Sequence, residues 1–163
     1  DIRKLLTEVR EQFPHTGGFQ SAGVIMVDHL PNQPLNYDEG LIFQRNHGWF
    51  EPAGARGRLI HDQPDGRYSV GRHATHMPTF VVHEIFLCWF GWSPWPQSKP
   101  RKMQIQTKIP SYHLGTPLGA GHQMNERTME DCFEANSKVA INLLENARYA
   151  KELKLVKDKL YGG

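Results

Sequence analysis

The run Thr79 to Phe90 (TFVVHEIFLCWF) is apolar on both of its alternating faces. A strand with one wet side alternates apolar and polar residues, so this run reads as a central strand covered on each side. A buried helix shows the same lack of polarity, but β-branched and aromatic residues dominate here and favour the strand. The rest of the chain must then supply the covering layers. Continued to Trp92, the run is still too short to span a bilayer and is interrupted by His83 and Glu84, so no membrane partner is expected. With 163 residues, 39% of them hydrophobic, the chain is long enough for one globular domain with its own core, spanning 1–163.

The flanking segments have their own periods. Ile2, Leu5, Leu6, Val9 and Phe13 fall at helical spacing and predict an amphipathic helix that stops at Pro14. Gly23 to Leu30 reads as a strand containing Asp28 and His29, and Leu41 to Arg45 with His47 to Phe50 as a second extended region. Arg58 to Asp62 and Arg67 to Gly71 flank Gln63-Pro64-Asp65-Gly66, the turn chemistry of a β-hairpin. Pro94, Pro96 and Pro100 remove donors and fix φ, so Ser93 to Pro100 is expected to be an extended loop. Met103 to Ile109 alternates as a half-exposed strand, and Pro110 to His122 is a glycine-rich connector. From about Asn125 a helical pattern runs through Met129, Cys132, Phe133, Val139, Leu143 and Leu144 towards Leu160.

This order predicts an α+β domain. Its sheet would be curved and mainly antiparallel, cone-like or barrel-like, packed against an N-terminal helix and a long C-terminal helix.

Charge is sorted along the chain. Between Arg45 and Glu84 stand Arg45, Arg56, Arg58, Arg67 and Arg72 with His47, His61, His73, His76 and His83, and no lysine. Guanidinium suits fixed, partly buried recognition of carboxylate or phosphate, and imidazole titrates near neutrality or binds a metal. The expected partner is therefore a small anionic molecule. A formal net charge of +2 makes nucleic acid an unlikely one. Cys88 and Cys132 fall among apolar residues and read as reduced core thiols, which points to the cytoplasm or another reducing compartment.

Asp28 and Glu84 interrupt apolar strand sequence. A carboxylate so placed pairs with a cation or takes up a proton, and either state is useful in catalysis. His83, Glu84 and Asp28 are accordingly expected to be catalytic, with Arg58, Arg72 and Trp89 binding substrate. His29 and several arginines are available partners for the carboxylates. His73, His76 and His83 together suffice for one divalent metal ion, so the cofactor is expected to be none or one such ion. The leading expectation is a small cofactor-independent or metal-assisted enzyme of lyase, isomerase or hydrolase type, working as a homodimer. The alternative is a structural or interaction subunit of a larger assembly, touching RNA through Lys99, Arg101 and Lys102 beside the tryptophans.

Overall fold

The computed structural model describes residues 2–51, 58–60, 75–116, 123–147 and 150–161. The protein is α+β, and its chain divides into two compact units, each built from two stretches: Asp1–Val24 with Phe50–Cys88, and Ile25–Trp49 with Trp89–Gly163. No helix among the described residues is long and apolar enough to cross a membrane.

In the first unit, helix α1 (Ile2–Gln12) turns Leu5, Leu6 and Val9 towards Phe19 and Val82, with Phe80 and Ile85 packed alongside. Pro14 ends the helix as expected, and Phe13 stacks on Phe80 with ring centroids 4.5 Å apart. Strand β1 (Gly18–Val27) begins five residues earlier than its apolar pattern suggests and ends before Asp28. It pairs antiparallel with a short β3 (Arg58–Ile60), Phe19 opposite Ile60 and Ser21 opposite Arg58. The turn at 63–66 and the second hairpin arm at 67–71 lie outside the described residues.

The apolar run is a strand, β4 (Thr79–Trp92). Val82 is buried, but Leu87 is 48% exposed, so the two-sided cover that its composition suggests is incomplete. β4 pairs with β1, and like ends meet. Gly17 and Gly18 N–H donate to the Pro78 carbonyl just before β4, and Asp28 N–H, just after β1, donates to the Trp92 carbonyl at its end. The two strands therefore run in the same direction, unlike the antiparallel pairs β1–β3 and β2–β5. A parallel pair needs a long crossover, and the chain between Asp28 and Pro78 provides it. The strand order β3-β1-β2-β5, with β4 beside β1, forms no closed barrel among the described residues.

The second unit buries Ile25, Val27, Trp92 and Met129, with Trp49, Trp95, Met103 and Phe133 packed against them. Leu41–Gln44 is a short helix, α2, and not an extended segment, and it leads into β2 (His47–Glu51). The proline-rich stretch is also helical: α3 covers Trp95–Gln106, replacing both the expected loop and the expected strand from Met103. Pro94 stands at the N-cap and Pro96 in the first turn, where an N–H has no intrahelical acceptor to lose. Only Pro100 lies inside the helix and removes a bond.

The C-terminal pattern is broken as well. Helix α4 (Glu126–Val139) is capped by Asn125, whose side chain accepts the Thr128 N–H at 2.8 Å. It gives way to a two-residue strand, β5 (Ile141–Asn142), which pairs with β2, and a separate helix α5 (Ala150–Tyr161) follows. Leu143 keeps the helical spacing of the apolar stripe yet sits in the turn after β5, where it is 1% exposed and its N–H donates to the Asn46 carbonyl. Leu143→Ala should lower stability by about 2–5 kcal/mol, the range for a buried leucine. Lys151→Ala, at an exposed position of α5, should cost about 0.5 kcal/mol or less. Denaturant midpoints check both; an unchanged midpoint for Leu143→Ala would mean that the turn is not an anchor.

Candidate functional site

Four consecutive buried residues, Val24 to Val27, carry β1 to its end, and Asp28 follows them at 3% exposure. A carboxylate this deep needs partners for its oxygens, and three elements supply them. Oδ1 accepts the Leu30 N–H at 3.0 Å, an Asx turn that bends the chain away from the strand. Oδ2 accepts the Trp95 N–H at 2.7 Å, so a residue far away in sequence caps α3, whose own N-cap proline has no side chain for the task. Arg45 Nε lies 3.0 Å from Oδ1, with the two side chains 2% and 0% exposed. The Nε–H is poorly aligned with that oxygen, so this contact is an ion pair by proximity. The remaining guanidinium nitrogens donate to the carbonyls of Gln44 and Gln33.

Beside this pair stand two imidazoles. His29 and His47 stack with centroids 3.7 Å apart and planes 28° from parallel. His47 opens β2, and its Nδ1 is 2.8 Å from Asn46 Oδ1; with the amide oxygen accepting, Nδ1 carries the proton and Nε2 keeps its lone pair. The β2–β5 register sets His47 opposite Asn142, whose side-chain amide donates to Glu145 Oε1 at 2.8 Å. Burial holds the His29 pKa below 6.5; His47 and Arg45 push the same way, and Asp28 opposes them. Burial lowers His47 too, against the pull of Glu145. Both rings are thus biased towards the neutral form at pH 7.

An aromatic group belongs to the same unit. A Cβ on Gly91 would lie 2.2 Å from the Trp89 ring, so this glycine lets the indole lie over the backbone. Lys102, 9% exposed, places its ammonium 3.9 Å from the Trp92 centroid and 4.8 Å from that of Trp89. Trp95 stacks on Phe133 at 4.3 Å and 5°.

The residues expected from sequence fall in different places. Asp28 is at the centre of the cluster but is not strand-borne, and both its oxygens are engaged. Trp89 is half-buried against Lys102. His76 is exposed. His83 and Glu84 lie in β4 and Arg58 in β3, but their side chains, like all of Arg72 and His73, lie outside the described residues. Among the described residues no group of three or more His, Cys, Asp or Glu is placed to hold a metal ion. Arg45 and His47 belong to the Arg/His-rich stretch and His29 follows Asp28, yet none of the three is among the residues expected to be catalytic, substrate-binding or metal-ligating. The usable signal was that all three flank apolar segments. Comparison with protein families, with curated proteins and with solved structures finds no match to this chain.

The lowered imidazole pKa values fix a sign. As pH falls, the unfolded chain binds these protons first, so the stability they contribute is complete above 6.5 and is lost as pH drops through the folded values. Denaturant midpoints should therefore decline from pH 7 to pH 5, and decline less in a His29→Gln, His47→Gln double variant. An identical decline in both proteins would contradict the assignment.

Proposed function

We propose that this chain is a small acid–base enzyme, of lyase, isomerase or hydrolase type, that acts on a small anionic molecule and moves its proton with His29 and His47. The observation that carries this reading is the stack of two neutral-biased imidazoles, 3.7 Å apart, next to the buried Asp28–Arg45 pair. A neutral imidazole near pH 7 is a competent base. Once one ring is protonated, the positive charge at this distance opposes protonation of the other, so the pair takes up one proton more readily than two. One ring then serves as acid and the other as base, and the singly protonated pair attracts an anion. Asp28 orients rather than reacts, because its oxygens are occupied. Trp89 would provide apolar wall. Within the other unit, Arg58, Arg72, His83 and Glu84 are proposed as a separate anion-holding and proton-transfer set, with one divalent ion on His73, His76 and His83 as its metal-assisted form. A reducing compartment suits the free thiols, since burial pushes Cys88 up to about 11 and leaves it unreactive.

A second reading, an assembly subunit or homodimer, is favoured by Val139 and Ile141, which are 58% and 42% exposed at the end of α4 and in β5.

Titration with oxalate, malonate and inorganic phosphate, followed by backbone amide NMR, separates the two. The enzyme reading expects saturable shifts at Asp28, Asn46 and Trp95 that vanish in the His29→Gln, His47→Gln variant. If none of the three anions moves these amides while the Val139 and Ile141 amides shift with protein concentration, the chain is an interaction subunit.

A further inference from the structure

Ser93 is 2% exposed, and its hydroxyl has no hydrogen-bond partner among the described residues. His29 Nδ1 is buried in the same condition. Buried polar atoms in folded proteins are almost always paired, because an unmet donor or acceptor loses its water without replacement. The two residues also follow a hydrogen-bonded pair. The hydrogen bond from Asp28 N–H to the Trp92 carbonyl joins the ends of β1 and β4, and His29 and Ser93 are the next residues on either side of it. The second carboxylate oxygen of Asp28 accepts the N–H of Trp95, two residues after Ser93.

We propose that Ser93 Oγ and His29 Nδ1 jointly bind one hydroxyl oxygen, that of a water molecule in the free protein, and that Ser93 is a positioning residue for His29. The chemistry of the two groups is complementary to such a ligand. A serine hydroxyl donates one hydrogen bond and accepts others, an imidazole nitrogen does one or the other according to tautomer, and a water can satisfy both at once. Neutral His29 with Nδ1 unprotonated would accept the water's proton-bearing edge, and Ser93 would fix where that water stands. Resting on the acid–base reading above, this places a water beside the base and narrows the reaction to addition of water to an electrophilic carbon: the water oxygen forms the new bond as the carbon's π bond or its bond to a leaving group breaks, His29 takes the water's proton, and that proton passes to the atom that receives the displaced electron pair, with no change of overall oxidation state. The alcohol of a substrate has the same donor and acceptor pattern and is the other source of the oxygen.

Water-to-protein rotating-frame Overhauser spectra test this on the intact chain. Cross-peaks from a long-lived water to the His29 ring and Ser93 Hβ protons are expected, absent in Ser93→Ala and retained in Ser93→Thr. The His29 titration midpoint, read from its ring protons, should move by roughly half a pH unit or more in Ser93→Ala and return in Ser93→Thr. Adding methanol should displace the water peaks if an alcohol takes the same place, and leave them if the site is selective for water. Missing water peaks in the unmodified chain would overturn the proposal even if Ser93→Ala failed to fold, and so would a Ser93→Ala chain in which His29 titrates as before. The anion titration is independent: shifts at Asp28, Asn46 and Trp95 without water peaks would leave the enzyme reading standing and this inference refuted.

Discussion

The buried contact between Asp28 and Arg45 ties together more of its unit than any other interaction described. Asp28 alone joins the end of β1, the turn at Leu30 and the first N–H of α3, while Arg45 binds the carbonyls of Gln33 and Gln44. Both side chains are essentially excluded from water, so each charge depends on the other and on these bonds. Such a pair is weak evidence of net stabilisation, because desolvation offsets much of the attraction, yet losing one partner strands the other. Its value here is positional. The pair fixes the residues on either side of it, His29 directly after Asp28 and His47 two places after Arg45, and these two rings meet face to face.

Helix α3 shows how tertiary context decides a segment that local rules leave undecided. Prolines at the N-cap and in the first turn are compatible with a helix, but the same prolines equally suit an extended loop. The remote carboxylate of Asp28, placed at the helix N-terminus, favours the helix, and the stack of Trp95 on Phe133 and the Lys99 bridges to Glu126 and Glu130 attach it to α4. None of these contacts lies within reach of a sequence window.

Legibility in the sequence followed the same division. Helix α1, strand β2, strand β4 and the start of the helix near Asn125 were readable because each rests on its own period or breaker. The short α2 and the break after Val139 were not: four residues carry too little period to identify a helix, and Leu143 keeps the apolar stripe going although β5 pairing has already turned the chain. In the candidate site, Asp28 stood out as a charge ending an apolar run. Its cation did not, since Arg45 lies 17 positions away and only the fold of the loop and α2 between them brings the two together. His29 and His47 were visible as residues and invisible as a pair for the same reason.

A double-mutant cycle on Asp28→Asn and Arg45→Met tests the dependence of the site on this pair most directly, with denaturant midpoints for energy and the His29 and His47 ring-proton shifts for geometry. Each single change should cost about 3–5 kcal/mol, as for a stranded buried charge. The double change should cost less than their sum by roughly 1 kcal/mol or more, and both single variants should lose the mutual ring shielding of the stacked imidazoles. Additive costs with the ring shifts unchanged would contradict it.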